Sequence, residues 1–475
     1  MMLIVFRANK IPNDGIIRYL GLLNSERIMI TSPKGLSEVL TTRNYDFIKP
    51  SHVATGLGRL LGIGILLAEG EEHKMQRKNL MPAFAYRHLK NLIPVFWDKS
   101  REAVEAMTSH INAGGIPNSE LPDFQKRPDI ENDAAILEVG EWASRATLDI
   151  IGVAGLGQDF GALKDPNTLL NVTYRKVFKP SRQAAILGLL NIFLPGWFVK
   201  NLPVKRNGEI EEAAGIIRET CRHLIRAKKD KLDRKELHDI DILSVAIESG
   251  GFSEEKLIDQ LMTFLAAGHE TTATAITWAI YMLCRNLDMQ TRLRNEIREK
   301  LPSVRENETV TSADIDRMPY LNAVCNEVLR YFPPVPLTLR DAACDTVILG
   351  HKIPKGTRVM LIPWAIHKNE ALWGPDAGVF NPDRWLPSEK NPHSSNGGAA
   401  SAYSYMTFIH GPRSCIGQGF AKAEFACLLA AWIGRFEFEL NDERELDEKN
   451  VVIKGGVTAR PAKGLYVKTR VVGGW

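Results

Sequence analysis

Phe408-Ile-His-Gly-Pro-Arg-Ser-Cys-Ile-Gly417 is the stretch whose reading decides the fold. Cys415 lies between Gly411 and Gly417, with Arg413 two residues before it. Glycine permits backbone turns that other residues avoid and lets the chain approach a flat ligand closely. Backbone amides around such a turn can point at the sulfur, and a cationic Arg413 can join them in stabilising a thiolate or hold an anionic group of a ligand. Residues 418–438 then read as a helix with one apolar face. Its positive N-terminal end would begin just beyond the sulfur. A lone cysteine would be read as a packing thiol, as are Cys284 and Cys427. The flanking pattern sets Cys415 apart.

The composition around this stretch is ordinary. The chain has 475 residues, 44% hydrophobic and 24% charged, with 60 Lys+Arg against 56 Asp+Glu and a formal charge of +4. So small a charge argues against a dedicated nucleic-acid binder, which needs a concentrated basic face. Whole-chain disorder and collagen-like repetition are excluded as well. Six cysteines with no Cys-x-x-Cys pair are too sparse for a disulfide scaffold and suit a reducing compartment. Length alone suggests about three domains, although a single large mixed domain of this size is also open until the motifs are read.

No segment reads as a membrane span. The opening MMLIVF is six apolar residues followed by Arg7, too few for a span of about 20 or a signal-peptide core of about 7. Residues 184–198, AAILGLLNIFLPGWF, form the longest other apolar stretch. They read either as a buried helix followed by a turn or as a surface segment that dips into a membrane or covers an apolar pocket.

Most of the remaining pattern is helical. Ser253 can cap a helix that opens with Glu254 and Glu255 and continues to about Arg285. Another is expected from about Leu321 to Tyr331, stopped by Pro333-Pro334. Residues 113–132 and 388–402 are turn-rich loops. Short strands are expected at 346–349 and 358–362, and a hairpin at 451–472, so β structure gathers towards the two ends. An alternating βαβ series is missing. Gly56-Leu57-Gly58 with Gly62, and Gly155-Leu156-Gly157 with Gly161, each miss the G-x-G-x-x-G spacing by one residue and read as loops or turns.

The cysteine string fits F-x-x-G-x-R-x-C-x-G at Phe408, Gly411, Arg413, Cys415 and Gly417, and in this the chain resembles the cytochrome P-450 family. Three further elements fall in the family's order. Glu327-Val-Leu-Arg330 resembles its E-x-x-R element, and the i,i+3 spacing puts both charges on one helix face. The segment 380–385, FNPDRW, resembles the one whose arginine, here Arg384, completes a structural network with that pair. Residues 267–272, AGHETT, resemble the oxygen-activation motif, with Ala267 and Gly268 beside the haem and Glu270 and Thr271 as the proton-delivery pair. A glycine costs about 1 kcal/mol in a helix interior, and the resemblance gives Gly268 a reason: a local opening for oxygen and water. His73 and Arg77 fall where the family meets the haem propionates, although many members carry Trp in place of His73. Arg340 matches another propionate-binding arginine, and Arg413 joins them.

The resemblance implies a mainly α fold with small β-sheets, haem b lying between the long central helix and the loop of Cys415, its axial ligand. The expected layout is one domain over 1–475: a β-rich part to about 50, a helical haem-binding core to about 440, and a C-terminal hairpin at about 450–472. It also implies a monooxygenase that inserts one oxygen atom of O2 into a lipophilic small molecule, fungal secondary-metabolite biosynthesis being the expected setting. Phe264, Val335, Leu337, Val457 and residues 53–66 would line the substrate pocket. With no flavin or nicotinamide segment in the chain, electrons would come from NADPH–cytochrome P-450 reductase. The anchor helix and proline-rich hinge of eukaryotic members are not seen before residue 12, which reads as a truncation or as peripheral contact with the endoplasmic-reticulum membrane on its cytoplasmic face; a soluble cytoplasmic protein is the alternative. Two other haem proteins compete: an isomerase or dehydratase acting on peroxides without external electrons, and a non-catalytic haem sensor. The acid–threonine pair counts against the former.

Overall fold

The computed structural model describes residues 11–21, 24–126, 135–178, 181–194, 196–236, 241–388 and 396–475. The MMLIVF run, residues 127–132 of the first expected loop and 389–395 of the second lie outside them. The described chain is mainly helical with small sheets, the expected class. It groups into two compact units: 1–46, 93–146 and 270–475 form the first, 47–92 and 147–269 the second.

The first unit is built on helix Gln418–Arg435, buried on every residue from Glu424 onwards. A helix apolar all round must be surrounded. Its neighbours include Ile93–Asn112, where Phe96 meets Phe420 edge-on at 4.8 Å, and Leu287–Lys300. Arg294 and Arg298 of the latter donate to the carbonyls of Ile433 and Gly434 at 3.1 and 2.9 Å. Cations thus satisfy the carbonyl end of the buried helix. The helix stops at Arg435, three residues before the expected end at 438. Phe436–Leu440 alternates apolar and polar side chains, becomes a strand, and pairs with Tyr466–Val471, which also pairs with Ala135–Glu138. The expected hairpin at 451–472 is therefore divided: Ile453–Gly455 and Ala459–Pro461 make a short hairpin, and Tyr466–Val471 belongs to this other sheet.

A second sheet in this unit orders its strands Ile16–Leu20, Glu26–Ile30, Arg358–Leu361 and Thr338–Ala342. Glu26–Ile30 and Arg358–Leu361 run parallel and the other pairs antiparallel. Strands from mid-chain thus join those near the N-terminus, so β structure is less confined to the ends than the pattern suggested. Thr346–Ile348 pairs with His351–Ile353 around Leu349 and Gly350, both at positive φ, +50° and +83°. That is the backbone a two-residue hairpin turn requires.

The long central helix runs Glu254–Arg285. Ser253 caps it, its Oγ accepting from the Lys256 N–H at 3.4 Å. Residues to His269 belong to the second unit and those from Glu270 to the first. Within the second unit, Gln260 accepts from the Ile65 N–H at 2.9 Å and Thr263 donates to the Leu61 carbonyl at 2.8 Å. These bonds fasten the end of helix Ser51–Leu61. Gly56 and Gly58 lie inside that helix, and Gly155 lies in a wide helical turn over Ile151–Leu156, whereas Gly62, Gly157 and Gly161, at φ +66°, +70° and +69°, lie outside the helices. Both strings were expected as loops or turns, which holds at Gly62, Gly157 and Gly161; at Gly56, Gly58 and Gly155 the chain is helical instead, apolar neighbours giving helix enough buried surface to outweigh the glycines.

Helices Arg182–Phe193 and Gly196–Lys200 cover the long apolar stretch. Leu187 is buried, but Ile186, Leu189, Trp197 and Phe198 are exposed, Trp197 at 68%. A wholly buried helix is thus not what forms.

Candidate active site

Two unusual backbone angles set the cysteine loop. Ile409 has φ +46° and Gly411 φ +77°. For a β-branched residue this conformation costs of order 1–3 kcal/mol, so the surroundings must impose it. A Cβ on Gly411 would stand 2.0 Å from the Leu40 carbonyl oxygen, which only glycine avoids. The Cys415 N–H donates to the Phe408 carbonyl at 2.9 Å and the Ser414 N–H to that of Gly411 at 3.0 Å. The loop closes on itself, and Gly417 caps the buried helix that follows. Cys415 is exposed at its tip, whereas Cys221, Cys284, Cys325 and Cys427 are buried. Burial pushes all four thiols up, Cys221 to about 12, so they stay protonated. Cys344, also exposed, lacks the glycine-framed turn. Arg413 is buried with its guanidinium 5.4 Å over the Tyr45 ring.

Behind this loop lies a charge network on helix Pro319–Tyr331. Arg330 holds Glu327 with two parallel bonds of 2.7 Å, both side chains fully buried. Arg330 also donates to the carbonyls of His367, Ala377 and Val379, while Glu327 accepts from the Asn381 N–H, from Arg384 and from Trp385. Arg384 is tied to Asp376 at 2.8 Å. With so many bonds around it the buried pair is fully satisfied, the condition under which such a pair is tolerated.

His367 links this network to the cysteine loop. Its Nδ1–H donates to the Arg330 carbonyl at 2.8 Å, and its Nε2 accepts from the Met406 N–H at 2.7 Å. Accepting at Nε2 requires the neutral ring, and burial lowers its pKa to about 3. Nothing in the sequence singles out His367, because both partners are main-chain atoms far along the chain.

On the central helix every residue from Gln260 to Cys284 is buried except Ala267, Gly268 and Thr271. Their i, i+1, i+4 spacing puts them on one face. The helix is continuous here, and a Cβ on Gly268 would lie 3.0 Å from Ile151. Gly268 thus has a packing reason besides the opening the motif suggested. Glu270 is buried, and its Oε1 accepts from Thr458 Oγ1 at 2.9 Å and from Arg460 at 3.1 Å. The local sequence offers no signal for this pairing across 188 residues. Thr458, in the bend before strand Ala459–Pro461, and Arg460 within it meet Glu270 from one side, which only the fold reveals.

Arg340, also in the first unit, is buried and donates to Thr338 Oγ1 and the Leu339 carbonyl. Val335 and Leu337 are half-buried and Val457 is exposed. In the second unit, His73 is buried and Arg77 half-buried one turn apart on helix Gly70–Leu80. Phe264 packs edge-on against Phe84 at 5.6 Å, and the side chains from 53 to 60 are partly or fully exposed.

A loop that presents one thiol, ahead of a buried helix and beside a charge-locked scaffold, is the design of a thiolate-ligating centre. The model of the family Cytochrome P450 matches residues 13–467, and the chain belongs to that family. It is 43% identical to Cytochrome P450 monooxygenase ALT8 of Alternaria alternata, over 99% of this chain and 85% of that protein. It is 46% identical to Cytochrome P450 monooxygenase FUM15 of Gibberella moniliformis, over 96% of this chain and 81% of that protein. With Cytochrome P450 monooxygenase sphH of Aspergillus fumigatus it shares 48% identity, over 98% and 83%. The chain is thus an oxidoreductase, its cofactor haem b with a cysteine thiolate ligand, and its partners a small-molecule substrate, O2 and a redox-partner reductase. The first unit fits that cofactor: an accessible sulfur at Cys415, a break in the burial of the central helix at Thr271, and buried cations at Arg340 and Arg413 for carboxylates that would otherwise be poorly solvated.

Proposed function

We propose that the chain is a haem-thiolate monooxygenase that hydroxylates a lipophilic small molecule in fungal secondary-metabolite biosynthesis, with Cys415 as the axial ligand. The observation that carries this reading is the exposed Cys415 on a loop that only glycine at 411 permits. When bound, haem b supplies activation of O2, favoured by a thiolate ligand. The protein's own share is binding and proton control. Arg340 and Arg413, with His73 and Arg77, neutralise the propionates, and Ala267, Gly268, Phe408, Gly411 and Gly417 complete the cofactor's surroundings. Glu270 takes up protons from solvent and Thr271 passes them on by its hydroxyl. Phe264, Val335, Leu337, Val457 and residues 53–66 supply apolar contact for the substrate. Glu327, Arg330 and Arg384 keep the scaffold in register, and the whole chain acts as one domain.

NADPH–cytochrome P-450 reductase is the electron donor, and no nucleic acid is bound. No helix among the described residues is long and apolar enough to cross a membrane. The exposed Leu189, Trp197 and Phe198 favour peripheral contact with the endoplasmic-reticulum membrane on its cytoplasmic face. Cys415→Ala tests the reading. The variant is expected to lose the carbon-monoxide difference band of a thiolate-ligated haem together with turnover, and a retained band would overturn the assignment.

A further inference from the structure

The acid of the central helix is held from outside its own element. Ala459, in the short C-terminal hairpin, is clamped on both sides of its backbone: its N–H donates to the Pro334 carbonyl at 2.9 Å, and its carbonyl accepts from Trp278 Nε1 at 2.7 Å. Trp278 is fixed in turn by stacking on Phe332 at 3.9 Å. Residues 458 and 460 flank this anchor and reach the same oxygen, Oε1 of Glu270, Thr458 donating to it at 2.9 Å and Arg460 pairing with it at 3.1 Å. Among the described residues Oε2 makes no hydrogen bond. Glu270 is 7% exposed and Arg460 37%, so the arginine reaches from the surface to a buried carboxylate.

We infer that Thr458 and Arg460 are positioning residues for proton delivery: they fix Oε1 and thereby hold Oε2 as the oxygen that takes up and releases the proton. Arg460 supplies the counter-charge that a buried carboxylate needs, and Thr458 fixes its rotamer. Neither touches substrate or cofactor in this role. The inference rests on the proposed role of Glu270, and the experiment separates the two.

NADPH consumed, product formed and hydrogen peroxide released are measured for the loaded enzyme with its reductase and a substrate that gives an optical shift. The variants are Arg460→Gln, Arg460→Lys, Thr458→Val, Glu270→Gln and the pair Arg460→Gln/Glu270→Gln. Arg460→Gln is expected to raise the peroxide fraction about threefold or more with the substrate dissociation constant within about twofold. Arg460→Lys should restore most of the coupling, Thr458→Val should give a smaller rise, and the pair should be no worse than Glu270→Gln alone. Thermal unfolding of the same proteins supplies a readout independent of turnover: the loss from Arg460→Gln should vanish in the Glu270→Gln background. Unchanged coupling in Arg460→Gln, or the same rise with and without Glu270, overturns the inference. Unchanged coupling in Glu270→Gln overturns the assignment of Glu270 itself, and this inference with it.

Discussion

Glu424 carries a carboxyl into the buried stretch of helix Gln418–Arg435 with no counter-charge. Its side chain is fully buried, and among the described residues neither oxygen makes a hydrogen bond of good geometry. Burial pushes its pKa well above the usual carboxylate range, outweighing the opposite pull of the nearby Thr272 hydroxyl. The folded protein therefore keeps Glu424 protonated, while the unfolded chain ionises near the ordinary value of 4.5. As pH rises above that value the unfolded state alone loses this proton, and the group costs about 1.4 kcal/mol of stability per pH unit until it ionises in the fold. Glu424→Gln should thus unfold at a higher temperature than the native protein at pH 8, with a flatter dependence between pH 5 and 8. Calorimetry across that range checks it, and an unaltered slope would mean that the carboxyl has found a cation. At this scale the sequence was legible where chemistry is local. Cys415 stands out from its five neighbours because glycine and arginine flank it, whereas Glu424, His367 and Arg460 take their roles from partners far along the chain.

Among the elements, the long helix and the helix of Glu327 were readable to within a few residues, because Ser253 caps one and Pro333 stops the other. Boundaries set by pairing were not. The last three residues assigned to the helix after Cys415 become a strand, since Phe436 and Phe438 can bury on one face only when Tyr466–Val471 lies alongside. The hairpin at 451–472 divides for the same reason. The cysteine loop makes a prediction of its own. Gly411→Ala would set a methyl against the Leu40 carbonyl and add the strain of a positive φ. It should cost about 1–3 kcal/mol and lower the fraction of haem-loaded protein, read from the ratio of haem to protein absorbance. An equal ratio and melting temperature would show that the loop can move aside.

At the scale of the molecule, the apolar stretch 184–198 offered a buried helix and a surface segment as alternatives, and the exposure of Leu189 and Trp197 decides for the surface. Periodicity could not, because a helix apolar on most sides has no face to read. If these side chains insert at a lipid interface, Leu189→Ser with Trp197→Ser should weaken binding to phospholipid vesicles at least tenfold, about 1.4 kcal/mol. Flotation with and without the substitutions measures this, and equal partitioning would remove the segment from any membrane contact.

The clamp on Ala459 also bears on how such a protein can change over generations. Its two anchoring bonds use only main-chain atoms of residue 459, so they ask little of that side chain except that it be small enough to stay buried. Positions 458 and 460 point at the acid without carrying the anchor. Substitutions there can retune an acid in the middle of the chain while the hairpin keeps its seat. Placement and chemistry are thus inherited separately in three consecutive residues, and a drifting lineage can alter one without first repairing the other.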